Sequence, residues 1–259
     1  MIYFDKTEVV GWEHAIRGMR NPLNSWDKSD SSNIAHCEDL WCDECPHQRS
    51  LYCATSGDSA GRMPLLGPND LKLMKSLAKA GPSHAKYRRF IDVYVDIIAP
   101  LYWWKEFETY RLCVASNPMD IEINSCSTMH KIHSKEFTLD DFSHEHLETL
   151  VVGGDQTGDV DMCNWHNFRD SLEETINDLN LARKLYLETN DKRYWWQMIQ
   201  LLPASYNQKR TLKMNYQVLA EMYECRKNHK LDEWADGVCE WIESLPYSEL
   251  ITGGKDVES

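Results

Sequence analysis

The sequence predicts a mixed α/β (α+β) fold, with central strands packed against helices and a helical C-terminal half. Three observations carry this. Ile91, Val93, Val95 and Ile97 alternate with Asp92, Tyr94 and Asp96, the period of a half-buried strand. Several later segments repeat apolar residues every three to four positions, the period of a helix face. Finally, 42% of the 259 residues are hydrophobic, enough for a core, yet no run of about 18 apolar residues is present to span a bilayer.

In chain order, Asn21 to Gly67 is dense in Ser, Asp, Asn, Gly and Cys and lacks either period, so it is expected to be a long loop or insertion. Asn69 suits a helix N-cap, with Leu71, Met74, Leu77 and Ala78 on one face and Gly81 as the stop. The strand Ile91 to Ile97 ends at Pro100, which favours a helix over Leu101 to Arg111. The aromatic run Tyr102-Trp103-Trp104 within it reads as core or as a stacking platform. Asn117-Pro118 marks a loop, and Val151 to Gly158 a flexible connector without phosphate-loop spacing. Phe168, Leu172, Ile176, Leu179 and Tyr186 define a long helix face. Val218, Leu219, Met222 and Cys225 define a second, and Trp234, Val238, Trp241, Ile242 and Leu245 a third, before Pro246. No repeat divides the chain, which reads as one domain over residues 1–259 with the Cys-rich insertion at about 21–67.

Acidic residues outnumber basic ones 41 to 28, a formal charge of −13. Such a surface repels phosphate backbones, so a nucleic-acid partner is not expected, nor is a membrane one. A small anionic ligand would need a local cluster of arginines. The first residues lack a basic and then apolar leader, so a cytoplasmic, reducing setting is expected, where disulfides are rare.

Four of nine cysteines crowd into Cys37-x4-Cys42-x2-Cys45-x7-Cys53, beside His36 and His47. Thiolates and imidazoles of this number can hold a tetrahedral zinc. With only one C-x-x-C pair, an insertion with free thiols is the alternative. Asn124-Ser-Cys-Ser-Thr-Met-His130 puts Cys126 beside hydroxyls and a histidine, and Cys126 reads as a nucleophile or as a packing residue. His84-Ala-Lys-Tyr-Arg-Arg89 is a phosphate clamp or a solvated face.

Together, the runs His84 to Ser127 and Leu202 to Trp234 resemble the flavin-dependent thymidylate synthase family. In that family a Gly-His-x-x-x-x-Glu-His segment starts a strand and Ala-Pro ends it. A helix then carries Arg-His-Arg-x-x-Ser-x-Asn-Glu-x-Ser-x-Arg-Tyr. With Ala99-Pro100 on the family's Ala-Pro, His84 falls on the first histidine and Arg111 on the last arginine of the triplet, whose other two positions are Thr109 and Tyr110. Asn124-x-x-Ser127 matches Asn-Glu-x-Ser, with Ser125 in place of the glutamate and Met129 in place of the arginine that binds nucleotide phosphate. Leu202-Pro203, Asn215, Leu219 and Arg226 keep the family's later spacing.

The resemblance implies a homotetramer binding FAD across chains, with methylation of dUMP by methylenetetrahydrofolate and reduction of the flavin by NADPH. It implies cofactor contacts for His84, Arg111 and Asn215, substrate contacts for Asn124, Ser127 and Arg226, and catalytic roles for Ser127 and Arg226. Under it Cys126 needs no nucleophilic role. Arg226 on a surface salt bridge and Asn215 as a helix cap are the competing readings. The substitutions at Thr109, Tyr110, Ser125 and Met129 leave open a nucleotide-binding or regulatory homologue with altered catalysis, with or without a zinc-stabilised loop.

Overall fold

The computed structural model describes residues 2–33, 64–114, 120–151 and 165–253. The cysteine group Cys37, Cys42, Cys45 and Cys53 therefore lies outside the described residues, as does most of the connector after Val151. The elements in order are β1 (Tyr3–Val10), α1 (Trp12–Arg20), β2 (Ser32–Asn33), β3 (Pro64–Leu65), α2 (Pro68–Lys79), β4 (Asp92–Pro100) and α3 (Leu101–Val114). There follow β5 (Glu122–Ser125), β6 (Thr149–Val151), β7 (Trp165–Asn167), α4 (Phe168–Thr189), α5 (Lys192–Leu201) and β8 (Asn207–Asn215). The chain ends with α6 (Tyr216–Arg226), a π-helical turn (Glu233–Val238), α7 (Cys239–Glu243) and α8 (Glu249–Thr252). The mixed fold expected from sequence is the fold observed. Among the described residues no helix is long and apolar enough to cross a membrane.

The chain forms two compact units. The first comprises Ile98–Glu106 and Ser125–Lys209. The second comprises Ile2–Ile97, Phe107–Asn124 and Arg210–Ser259.

In the first unit, α4 and α5 form an antiparallel helical hairpin. Asn167 caps α4 by accepting from the Arg169 N–H, and Asp191 caps α5 by accepting from the Arg193 N–H. Between them Asn190 adopts the left-handed conformation (φ 54°) that lets α4 stop. Leu172, Ile176, Leu179 and Ala182 of α4 bury against Ile132, Phe137, Phe142 and Met198. Full burial of a side chain such as Leu179 stabilises by about 1.5–3 kcal/mol. β6 and β7 pair antiparallel, Leu150 opposite His166. Trp103 and Trp104 are fully buried, so the core reading of that run holds, and the Trp104 indole donates to the Gln208 carbonyl at 2.9 Å.

The second unit holds most of a four-stranded sheet of order β1-β4-β8-β5. Val93, Val95 and Ile97 of β4 are buried, while Tyr94 is exposed and Asp92 and Asp96 half-buried, as the alternation predicts. Thr211 donates to Asp96 at 2.6 Å and Lys213 pairs with Asp92 at 3.2 Å. Gly11 (φ +92°) starts α1 where any Cβ would lie 1.9 Å from the Phe90 carbonyl oxygen, so the close approach requires glycine.

One expectation is corrected. The helix expected to be capped by Asn69 begins at Pro68 with Gly67 as N-cap. Proline is pre-set for the first helical position, and the Asn69 N–H is instead met by Asp30 Oδ2 at 2.9 Å. The C-terminal half is mostly helical, as expected, and contributes the central strand β8 to the sheet. The described ends of the irregular stretch form 3-10 turns and the antiparallel pair β2–β3. There Asp70, fully buried, binds Arg20 Nε and Nη2 at 2.7 and 2.6 Å and accepts from the Ser29 and Ser31 hydroxyls.

Candidate functional site

Two segments of the second unit converge on α6. One is the turn from Gly81 through Phe90, whose 3-10 part (Lys86–Phe90) packs on α1 and α6. The other is the C-terminal end of α8. They enclose an open cavity of about 500 Å³, lined by Pro82 and Arg88, by Gln217, Ala220, Glu221, Glu224 and Cys225, and by Ile251, Thr252 and Gly253. This lies within the usual ligand-pocket range of about 300–1,000 Å³. The five α6 residues make one stripe because they recur at helical spacing.

Two buried polar atoms of the lining residues have no hydrogen-bond partner among the described residues: Nε of Arg88 and Oε1 of Gln217. Arg88 is 7% exposed and Gln217 only 2%. The Gln217 amide is oriented by Glu221, because the carboxylate at 2.8 Å accepts from Nε2 and leaves Oε1 as an acceptor elsewhere. Both atoms lie within the wall and not on its accessible surface, so a ligand meets them only after a side-chain shift, beside apolar walls at Pro82, Ala220 and Ile251. This donor and acceptor suit the –CO–NH– edge of a pyrimidine or of the pyrimidine ring of a flavin. A diphosphate does not suit the same spot, where Glu221 and Glu224 face a single arginine. The residues therefore fit the ring end of FAD, and its phosphates would need cations elsewhere. Beside Arg88, burial pushes the Tyr87 phenol up to about 12, so it stays protonated and donates to the Met74 carbonyl at 3.0 Å.

Asn215 is 4% exposed and caps α6, its Oδ1 accepting from the Gln217 and Val218 N–H groups at 3.0 Å each. The cap so fixes the helix whose next residues line the cavity. His84 is exposed in the turn leading to Arg88, and its N–H donates to the Gly81 carbonyl at 3.0 Å. Arg226 ends α6, half-buried, its guanidinium 4.8 Å from the centre of the Trp234 ring. Arg111 lies in α3, with its side chain outside the described residues. Asn124 is exposed on β5. His84, Asn215 and Arg226 thus share the second unit with the cavity, and Asn215, the cap of α6, and Arg226, its last residue, bracket the lining stripe.

Ser127 belongs to the first unit. Its exposed Oγ accepts from the N–H groups of Met129 and His130 at 3.2 and 2.9 Å, which leaves the hydroxyl proton for donation. Cys126 is an exposed free thiol whose backbone pairs with Lys209 and Gln208. Among the described residues no cluster of three or more His, Cys, Asp or Glu side chains could hold a metal.

Gln217 and Glu221 were not singled out from sequence. The signal was present as the i, i+4, i+8 stripe Gln217, Glu221, Cys225, but polar residues on a helix ordinarily read as a solvated face.

No family model matches the sequence, and no curated protein matches it. Solved structures do match in fold. Thymidylate synthase X from Helicobacter pylori with FAD and dUMP superposes with a TM-score of 0.58 at 14% identity, covering 98% of each chain. A second structure of the flavin-dependent enzyme from Helicobacter pylori, complexed with FAD and dUMP, gives a TM-score of 0.57 at 14% identity. It covers 96% of this chain and 99% of that one. The fold of this chain is therefore that of flavin-dependent thymidylate synthases.

Proposed function

We propose, from that fold, that the chain is an FAD-dependent enzyme methylating dUMP or a related deoxynucleotide, with methylenetetrahydrofolate as one-carbon donor and NADPH as reductant. The observation that carries the reading is the cavity beneath α6, whose wall holds Arg88 Nε and Gln217 Oε1, both buried and without a hydrogen-bond partner among the described residues. Buried polar atoms left unmatched cost about 1–3 kcal/mol each, a cost that a ligand with the complementary edge removes. In the Helicobacter pylori structures the same fold holds FAD and dUMP.

Bound FAD would supply hydride chemistry. This chain's residues bind and orient. Arg88 donates to a ring carbonyl and Gln217 accepts from the adjacent ring N–H. Asn215 holds α6 in place and His84 stands by the cofactor. Arg226 and Arg111 supply guanidinium donors to anionic groups in an otherwise acidic chain. Asn124 and the Ser127 hydroxyl position the nucleotide. Assembly as a homotetramer is part of the reading, and the apolar side chains exposed on α4 and α5, among them Leu181, Leu187 and Trp196, are its candidate face. Zinc at Cys37, Cys42, Cys45 and Cys53 is a further, separable element, tested by metal analysis of the purified chain.

A second reading rests on Met129, which stands where the family carries a phosphate-binding arginine, and on Ser125, Thr109 and Tyr110. Here the chain binds the nucleotide without methylating it. Incubation with dUMP, methylenetetrahydrofolate, NADPH and FAD separates the two. Formation of dTMP supports the enzyme, and binding without turnover supports the regulatory homologue.

A further inference from the structure

The segment after α6 folds back so that Trp234 meets Arg226. Trp234 is fully buried at the head of the π-helical turn Glu233–Val238, a rare geometry that is frequent at functional sites. The Arg226 guanidinium lies over its ring at 4.8 Å. Phe107 stacks nearly parallel to the same indole, centroids 6.2 Å apart and planes 8° from parallel, and His229 meets it edge-on at 6.3 Å. Gly237 allows the turn to sit against the start of the chain, since a Cβ there would fall 2.3 Å from Ile2 Cγ2. The indole is thus held by its neighbours and by the turn, and the Arg226 guanidinium packs on its face.

A guanidinium stacked on a ring spends its face on the π-system and keeps its five N–H donors in the plane, directed past the ring edge. We infer that Trp234 is a positioning residue, presenting the Arg226 guanidinium edge-first to the anionic deoxynucleotide. This rests on the reading of Arg226 as a nucleotide-binding residue. Trp234 itself touches no ligand in this account. It acts by restricting Arg226 to a binding-competent rotamer before the nucleotide arrives, so its loss is felt as affinity.

The test is dUMP binding by calorimetry to the full chain with FAD present. Fluorinated tryptophans placed at position 234 retain the indole shape but weaken its negative face. Progressive fluorination should lower dUMP affinity stepwise, by roughly two- to thirty-fold in all, at unchanged melting temperature. Arg226→Ala should lower it by at least about ten-fold, and in that background fluorination should have no further effect. Trp234→Leu should reproduce the loss, with Trp234→Phe recovering part of it. If Arg226→Ala weakens binding but fluorination does nothing, or acts equally with and without Arg226, the positioning role is overturned and the nucleotide reading stands. If Arg226→Ala binds dUMP as tightly as the wild type, both fall.

Discussion

Arg88 Nε and Gln217 Oε1, a donor and an acceptor from two different segments, belong to residues that line one cavity, and both atoms are buried without a hydrogen-bond partner among the described residues. Their chemistry points to a ligand with an adjacent carbonyl and N–H. Replacing Gln217 by Leu removes the acceptor and its desolvation cost together. The variant should melt no lower than the wild type, yet bind FAD more weakly by about 1–3 kcal/mol. Thermal melting and fluorescence titration with FAD check the pair of outcomes. Lower stability with unchanged FAD affinity would make Gln217 a packing residue.

Asn215 carries two candidate roles that substitution can separate. As the α6 cap it satisfies two backbone N–H groups, so Asn215→Ala should lower stability by about 0.5–2 kcal/mol. Asn215→Ser keeps a capping oxygen but not the amide. Near-wild-type denaturant midpoint with weakened FAD binding in Asn215→Ser assigns the amide to the cofactor. Unchanged FAD binding confines Asn215 to the cap.

The Arg20–Asp70 pair locks α2 to α1 and the 3-10 turns. Burial would raise the Asp70 carboxyl, but hydrogen bonds from Ser31, Ser29 and Arg20 and the Arg20 charge outweigh it and hold the group below its ordinary 3.8. A group titrating lower in the folded than in the unfolded chain adds stability above about pH 4, and that contribution is lost as pH falls through the folded value. Asp70→Asn leaves the Arg20 charge buried without its counter-charge, with the Ser25 carbonyl still accepting from Nη1, and should cost about 3–5 kcal/mol at neutral pH. In urea unfolding, the gap between wild type and variant should be level from about pH 5 to 8 and shrink below about pH 4. A gap that widens on acidification would contradict the assignment.

Much of the fold is legible in the sequence where burial is one-sided. The alternation of β4 and the α4 stripe Leu172, Ile176 and Leu179 show because one face is apolar and the other wet. β8 is not, because Lys209, Arg210, Thr211 and Lys213 give Asn207–Asn215 a polar composition. What makes it a central strand is partners elsewhere in the chain, such as Asp96 for Thr211, Asp92 for Lys213 and Glu108 for Arg210. The face of α1, with Trp12, Ala15, Ile16 and Met19 at helical spacing, was present in the sequence but lay outside the resemblance. At the site, the matched spacing pointed to Asn215 and Arg226. It could not reveal Gln217, whose significance comes from an orphaned oxygen buried in the wall of a cavity, nor Trp234, which meets Arg226 only through the π-helical turn.

In the proposed reading, the chain's departure at Met129 bears first on nucleotide binding. If Met129 has replaced the phosphate-binding arginine without compensation, Met129→Arg should tighten dUMP by about 1.5–3 kcal/mol, the size of a hydrogen bond to a charged group. Calorimetry on the two proteins measures it. No gain would mean that another cation, Arg226 first among them, already meets the phosphate.

The central claim is that this fold, with the cavity under α6, holds FAD and a deoxynucleotide together. The visible absorption spectrum of the full chain, reconstituted with FAD and then titrated with dUMP, tests it most directly. The account expects a retained flavin band after removal of free FAD and a saturable shift of that band on adding dUMP. A colourless protein after reconstitution would contradict it.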